Sequence, residues 1–214
     1  MLDHELKEYL QTLIPKRDEF FNEMEQYAKL HQVPIMDPLS MEALLQLLRL
    51  YKPDSVLEIG TAIGYSALRM ASVVKGKIVT IERDQIRHEE AVKNIRRAKK
   101  DNQIQVLFGD AFNLVEEVKK YAPYDCLFID AAKGQYQRFF EVFEPLLSEN
   151  GIIITDNVLF RGYVYNPDQA DQKRLKKVAE KINGYNQWLI NHPSYHTVIL
   201  PIGDGIAISI RKSL

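Results

Sequence analysis

Carboxylate and amide side chains stand at or near the ends of four apolar runs in this chain. The runs cover 56–60, 78–82, 127–130 and 152–157, and their polar side chains are Glu58, Glu82, Asp130, Asp156 and Asn157. Apolar runs of this length, separated by helical patterns, are typical of strands buried on both faces of a parallel sheet. Ligands bind beyond the carboxyl ends of such strands, so we expect these side chains to meet at one edge of the sheet.

Asp130, Asp156 and Asn157 form an all-oxygen set of two carboxylates and one amide. Hard oxygen donors of this kind suit Mg²⁺ and leave positions open for water or substrate. Lys133 follows Asp130 closely enough to reach the same site, and a nearby divalent cation would lower its pKa toward that of a useful general base. The alternatives are that Asp156 and Asn157 merely start a loop, and that Lys133 is solvated or pairs with Asp130.

The segment 58–66 reads E-I-G-T-A-I-G-Y-S and predicts a strand–turn–helix junction. Glycines at 60 and 64 allow the backbone to approach a ligand closely, and the N–H groups of the following helix suit a carboxylate or phosphate. The G-x-x-x-G spacing differs from the G-x-G-x-x-G of pyrophosphate sites. We therefore expect a nucleoside with a small carboxylate tail, with an ordinary tight turn as the alternative.

Two further segments predict contacts to a nucleoside. Glu82 ends its run 22 residues after Gly60, where a carboxylate can accept both ribose hydroxyls. The alternative for Glu82 is a solvated glutamate paired with Arg83. The loop at 109–111 follows the next strand, where it would border the adenine, although Gly-Asp is also ordinary turn chemistry.

The elements that must position these residues follow from the hydrophobic pattern. Helices are predicted over 2–12 and 16–31, from Pro38 with Asp37 as its cap, and near 65–74, 84–99, 111–120, 135–147 and 168–191. Strands are predicted near 55–59, 77–82, 103–108, 124–130, 151–156, 195–201 and 205–211, with a tight hairpin at 203–205. This order predicts an α/β fold with a doubly wound, mostly parallel seven-stranded sheet and an antiparallel C-terminal hairpin. We expect one domain over 1–214, with N-terminal helices in 1–50 and a catalytic core in 54–214.

Bulk properties narrow the class of protein. The 214 residues carry a formal net charge of −1, so no global field draws the chain to nucleic acid or membrane. No apolar run approaches the roughly 20 residues that span a bilayer, and residues 1–13 are too charged for a signal peptide. The single Cys126 excludes an internal disulfide and is expected to be a core thiol. We expect a cytoplasmic protein.

Taken together, the motifs resemble the metal-dependent class I S-adenosylmethionine O-methyltransferases related to catechol and caffeoyl-CoA O-methyltransferases. The resemblance runs from Met36 to the last strand. It rests on V-L-E-I-G-T-A-I-G-Y-S (56–66), I-E-R-D (81–84), G-D-A (109–111), F-I-D-A-A-K (128–133) and T-D-N (155–157).

The resemblance implies roles for individual residues. It implies Asp130, Asp156 and Asn157 as magnesium ligands, with Lys133 as catalytic base and Asp130 also catalytic. The residues that it implies for S-adenosylmethionine are Met36, Glu58, Gly60, Ser66, Glu82, Arg83, Gly109, Asp110, Ala111 and Asp130.

Within this family the chain also resembles bacterial enzymes that methylate 5-hydroxyuridine at the tRNA wobble position. That likeness implies a tRNA anticodon stem-loop as partner, with substrate contacts from Lys133, Asn157, Arg161 and Tyr163. Tyr165 and a basic cluster (Lys93, Arg96, Arg97, Lys99, Lys100) are further candidates. The alternatives are a small phenolic or catechol-like substrate under a Tyr-rich lid, and a non-catalytic nucleotide-binding domain. The family commonly dimerises, which implies a homodimer.

Overall fold

The computed structural model describes residues 4–212. Its strands are β1 (Ser55–Ile59), β2 (Lys77–Glu82), β3 (Ile104–Phe108), β4 (Tyr124–Ile129), β5 (Leu147–Thr155), β6 (Tyr195–Leu200) and β7 (Ile206–Arg211). Its α-helices are α1 (His4–Thr12), α2 (Glu19–Leu30), α3 (Pro38–Tyr51), α4 (Tyr65–Met70), α5 (Gln85–Arg97), α6 (Val115–Lys119), α7 (Tyr136–Phe143) and α8 (Lys173–Ile190).

The strands form one seven-stranded sheet in the order β3-β2-β1-β4-β5-β7-β6. The pairs among β1 to β5 are parallel, whereas β7 is antiparallel to both β5 and β6. The predicted fold class is therefore confirmed. Within the C-terminal hairpin, β7 inserts between β5 and β6, so β6 lies at the edge of the sheet.

Several predicted boundaries need correction. The helix predicted near 111–120 is a 3₁₀ turn (Ala111–Asn113) followed by α6, and the helix predicted from 168 begins at Lys173. Strand β5 begins at Leu147 rather than at 151. The predicted tight hairpin is a five-residue connection, 201–205, whose Gly203 and Gly205 have φ of 57° and 89°. Positions 2 and 3 of the first predicted helix lie outside the described residues.

Helix α3 illustrates why the sequence folds as it does. The Asp37 side chain accepts hydrogen bonds from the backbone N–H groups of Leu39 and Ser40, and Pro38 occupies the first helical position. Both features are favourable at a helix start. The apolar stripe of the helix is buried, namely Met41, Leu44, Leu45 and Leu48.

The sheet separates two apolar layers. Val56 and Ile78 point into the layer that contains α3 and α4, whereas Leu57 and Val79 point into the layer that contains α7 and α8. This alternation follows from the two-residue period of a strand. Cys126 is a buried free thiol in the first layer, as predicted. With both faces covered, the carboxyl edge of the sheet stays accessible to a ligand.

Candidate functional site

Backbone hydrogen bonds hold the strand ends of the central sheet side by side. The N–H of Asp130 donates to Ile59 O at 3.0 Å, and the N–H of Asp156 donates to Ile129 O at 3.0 Å. On the other side of β1, the N–H of Gly60 donates to Ile81 O at 3.1 Å. The loops that follow β1, β2, β4 and β5 therefore leave the sheet at one edge, as the sequence predicts.

A cavity of about 550 Å³ opens at this edge. Eleven predicted site residues line it: Met36, Gly60, Ser66, Glu82, Arg83, Gly109, Asp110, Ala111, Asp130, Lys133 and Asn157. Four others do not line it: Glu58, Asp156, Arg161 and Tyr163. The volume is in the range of sites for small ligands.

Glu58 lies behind the cavity wall rather than in it. Its side chain is fully buried and accepts hydrogen bonds from the hydroxyls of Ser66 and Thr80. Burial raises the pKa of Glu58 to about 7, and the two hydroxyl hydrogen bonds oppose that rise. Ser66 lines the cavity, so Glu58 fixes a side chain of the wall without reaching the cavity itself.

Glu82 is held by the backbone of its own loops. Its carboxylate accepts N–H groups from Ala62 at 2.8 Å, Arg83 at 2.9 Å and Asp84 at 2.8 Å. The ion pairs found within residues 4–212 do not include one between Glu82 and Arg83. A carboxylate oxygen has two lone pairs, so the buried Glu82 keeps acceptor capacity for a ligand hydroxyl.

Gly60 lines the cavity, and the structure gives it a packing role as well. Gly60 has a φ of 107°, and a Cβ at this position would lie 2.0 Å from the carbonyl oxygen of Asp130. Glycine is therefore required by the close approach of the β1 and β4 ends, before any ligand is considered. Gly64 is the N-cap of α4 and has a φ of 84°. Helix α4 has only six residues, so the helix dipole is short.

Asp156, Asn157 and Lys133 form a hydrogen-bonded chain. Lys133 Nζ donates to Asn157 Oδ1 at 2.5 Å, and Asn157 Nδ2 donates to Asp156 Oδ2 at 2.6 Å. Lys133 Nζ also lies 5.8 Å from the centre of the Phe160 ring. The predicted alternative of an ion pair between Lys133 and Asp130 is not found among the described residues, since Lys133 bonds to the amide instead.

The carboxylate of Asp156 takes part in none of the ion pairs found within residues 4–212. Its Oδ1 is buried and has no hydrogen-bond partner. Burial, together with the neighbouring Asp130, raises the pKa of Asp156 well above its usual value. Burial also raises the pKa of Asp130, which Lys133 partly offsets. Two adjacent carboxylates in this state are unfavourable as anions unless a cation joins them.

This arrangement fits the predicted magnesium set. Asp130, Asp156 and the amide oxygen of Asn157 supply only hard donors, and the buried Asp156 Oδ1 has no hydrogen-bond partner. Within the described part of the chain, no three His, Cys, Asp or Glu side chains cluster as a metal site. The predicted magnesium set is not a cluster of that kind, because only Asp130 and Asp156 are carboxylates and the third donor is the amide of Asn157.

Aromatic and cationic side chains that the sequence reasoning missed also line the cavity. The Phe112 ring stacks on Phe139, with centroids 4.8 Å apart and planes at 6°, and the Arg138 guanidinium carbon lies 3.8 Å from the Phe112 centroid. Tyr65 donates its hydroxyl to Glu25 of α2 at 2.6 Å. Phe112 directly follows the Gly109–Ala111 motif and Tyr65 stands within the 58–66 motif, whereas Phe139 and Arg138 carried no sequence signal.

Two of the residues predicted to contact the substrate, Arg161 and Tyr163, do not line the cavity. Arg161 is exposed, with a φ of 56°, and its backbone N–H donates to Asp204 Oδ1 at 3.3 Å. Tyr163 packs edge-on against Phe160, with ring centroids 5.5 Å apart. Within the segment 160–163, the residue whose side chain lies near Lys133 is Phe160 rather than Arg161 or Tyr163.

The strand order, the antiparallel β7 and the cavity at the carboxyl edge define a class I methyltransferase fold. The chain belongs to the O-methyltransferase family, whose model matches residues 15–212. It is 29% identical over 209 residues to the caffeoyl-CoA O-methyltransferase of Medicago sativa, covering 94% of this chain and 85% of that protein.

Two solved structures are also similar. One is a provisionally named caffeoyl-CoA O-methyltransferase from Staphylococcus aureus, with a TM-score of 0.90, 38% identity and coverage of 96% of this chain and 99% of that one. The other is an O-methyltransferase from Bacillus cereus in complex with SAH, with a TM-score of 0.82, 25% identity and 97% of both chains covered. Among the described helices, none is long and apolar enough to cross a membrane.

Proposed function

We propose that this O-methyltransferase transfers a methyl group from S-adenosylmethionine to a substrate hydroxyl, at a site that uses Mg²⁺. The observation that carries the proposal is the buried, unpartnered Oδ1 of Asp156 beside Asp130 and the Lys133–Asn157 pair. A site with this donor set suits a substrate that presents two neighbouring oxygens, as a catechol does.

The cavity supports a position for the methyl donor. Glu82 would accept the ribose hydroxyls, the loop at 109–111 would border the adenine, and Met36 and Ser66 would face the methionine part. The Bacillus cereus relative binds SAH, the product that S-adenosylmethionine becomes after methyl transfer. Arg83 and Gly60 line the same cavity and complete the proposed binding residues, with Glu58 supporting Ser66 from behind.

The metal would be held by Asp130, Asp156 and Asn157. When bound, Mg²⁺ supplies stabilisation of negative charge on the substrate oxygen. The chain itself then provides two further effects. Lys133, placed on Asn157 Oδ1, would accept the hydroxyl proton, and the cavity wall would align the substrate oxygen with the methyl carbon and sulfur. The oxygen–carbon bond forms as the carbon–sulfur bond breaks, and SAH leaves.

For the substrate we propose 5-hydroxyuridine at the wobble position of a tRNA anticodon stem-loop, with 5-methoxyuridine as product. The 5-hydroxyl and 4-oxo oxygens are neighbours and can bind one cation together, as in a catechol. Basic side chains at the cavity, namely Arg83, Arg87 and Arg138, support a substrate that carries phosphates. The cytoplasmic location, the single domain and the homodimer stay predictions.

A small catechol-like phenol is the second candidate substrate. It is supported by the relatives from plants that are named caffeoyl-CoA O-methyltransferases. A direct competition assay separates the two candidates. We expect purified protein with Mg²⁺ and S-adenosylmethionine to methylate a stem-loop that carries 5-hydroxyuridine with higher kcat/KM than it does caffeoyl-CoA. The reverse order would reject the tRNA proposal and leave the O-methyltransferase activity intact.

Asp156→Ala tests the site itself. We expect methylation to fall about 100-fold or more, because several kcal/mol of charge stabilisation would be lost with the metal ligand. The dissociation constant for S-adenosylmethionine, measured by calorimetry, should change little, because Asp156 does not line the cavity. Asp171→Ala, at an exposed position, is the control. Equal loss of methylation and of cofactor binding would identify Asp156 as structural, and wild-type protein that releases no heat with S-adenosylmethionine would favour a non-catalytic domain.

A further inference from the structure

A second groove lies beside the catalytic cavity, on the surface of α8. It has a volume of about 400 Å³ and is lined by Gly134, Lys173, Arg174, Lys177, Val178 and Lys181. Four of these six residues are cationic and none is acidic. We call this feature the α8 groove. Its charge is local, because the whole chain has a net charge of only −1.

The cations of the α8 groove are not neutralised by the protein. All four are exposed, and none takes part in the ion pairs found in residues 4–212. On the same helix, Lys176 pairs with Asp168 at 3.5 Å but does not line the groove. A groove lined only by unpaired cations and two small or apolar residues is complementary to an anionic ligand.

The spacing of the lysines adds to this argument. Lys173, Lys177 and Lys181 are four residues apart, so they lie on one face of α8. Like charges at this spacing destabilise a helix, and a bound polyanion removes that repulsion. The stripe extends about 12 Å along the helix axis, which suits a stretch of backbone better than a single phosphate.

The α8 groove adjoins the catalytic site through one short turn. A Cβ placed on Gly134 would lie 3.5 Å from Lys181 Cδ and 3.6 Å from Lys181 Nζ. Gly134 directly follows Lys133, whose ammonium contacts Asn157 at the cavity. A ligand that occupies both features would therefore pass over the 133–135 turn, with its reactive group in the cavity and its anionic part on α8.

We propose that the α8 groove binds the sugar–phosphate backbone of the RNA whose target nucleoside enters the cavity. This inference rests on the proposed tRNA function and adds a binding surface to it. The basic cluster on α5 is a poorer candidate, because Lys93 pairs with Glu90 at 3.2 Å and Arg97 pairs with Glu23 at 2.7 Å. The phosphate contacts fix the position of the RNA and carry no base specificity.

The test compares two double variants of the full-length protein. Lys177→Gln/Lys181→Gln removes two groove charges. Lys75→Gln/Lys119→Gln removes two exposed lysines that precede β2 and β4, at the opposite edge of the sheet, and serves as the control. Binding of a fluorescently labelled anticodon stem-loop is measured by anisotropy over a range of salt concentrations.

We expect the groove variant to bind the stem-loop roughly 25- to 60-fold more weakly at 0.1 M salt. Each phosphate contact raises the affinity at 0.1 M salt by about five- to eightfold relative to 1 M salt, and the variant loses two such contacts. The slope of log Kd against log salt should fall by about 1.4 to 1.8, while the control keeps the wild-type affinity and slope. Lys177→Arg/Lys181→Arg should bind like wild type. An unchanged S-adenosylmethionine affinity in the groove variant shows that the cavity is intact.

The outcomes separate the two proposals. If wild type methylates the stem-loop but the groove variant keeps its affinity and salt slope, the α8 groove inference is wrong and the tRNA function stands. If the groove variant loses affinity for a coenzyme A thioester and not for RNA, the groove binds coenzyme A phosphates and the inference is likewise overturned. If wild type neither binds nor methylates the stem-loop, both proposals fail.

Discussion

Replacing Glu58 by glutamine tests how the cavity wall is built. Glu58 is fully buried, and its pKa is raised from 4.5 to about 7 by burial. The protonated carboxyl is therefore favoured in the folded state, so this group contributes most to stability below pH 4.5. Between pH of about 4.5 and about 7 the unfolded chain binds fewer protons than the folded one, so this contribution to stability falls as the pH rises. Above that range the contribution is constant.

The expected magnitude follows from the same two values. A rise in pKa from 4.5 to about 7 corresponds to about 3 kcal/mol in total, most of which falls between pH 5 and pH 8. Glu58→Gln has a similar shape and no charge to bury. The free energy of unfolding of the variant minus that of wild type should therefore be roughly 2 to 3 kcal/mol larger at pH 8 than at pH 5.

Urea unfolding of both proteins, without ligand, at pH 5, 6, 7 and 8 measures this difference. Shifts of groups that do not interact with Glu58 are common to the two proteins and cancel, whereas Asp130 and Glu82 interact with it electrostatically. Glu116→Gln, at an exposed position of α6, controls for loss of one carboxylate. If the stability difference between wild type and Glu58→Gln is the same at pH 5 and pH 8, burial does not perturb Glu58 and the reasoning is refuted.

Two further predictions concern residues near the sheet. Gly60→Ala should lower the free energy of unfolding by more than about 2 kcal/mol and abolish S-adenosylmethionine binding, since its Cβ would lie 2.0 Å from Asp130 O at a φ of 107°; a normal melting temperature with normal calorimetric binding would contradict this. Cys126 should not react with Ellman's reagent until the protein unfolds, because burial raises the pKa of its thiol and excludes reagent; rapid labelling of the native protein would show that β4 is accessible.

Much of the fold could be predicted because it depends on periodic patterns. The buried strands β1, β2 and β4 are mostly apolar, and the structure places each within one residue of its predicted bounds. Boundaries were wrong where polar and apolar residues mix. The 147–150 extension of β5 reads L-S-E-N, which has no strand pattern, and it is formed by pairing of Leu147 with Tyr124.

The site residues that follow the ends of strands could be predicted from the sequence. Asp130 and Asp156 end neighbouring parallel strands, so their adjacency follows from the predicted order of the elements. The side chains from helices were not predictable in this way. Arg138 lies on α7 and stacks on Phe112 after β3, and no local pattern relates two segments that far apart in the chain.

The amino-acid sequence by itself determined which elements form and which oxygen-bearing residues stand at the strand ends, because period, length and capping are local properties. Only the tertiary structure decided which of those residues face the cavity, that Glu58 lies behind Ser66, and that Asp156 Oδ1 has no partner. It also decided that the lysines of the α8 groove lie beside Gly134, the residue after Lys133. Those properties depend on packing between distant segments, which fixes burial and electrostatic environment.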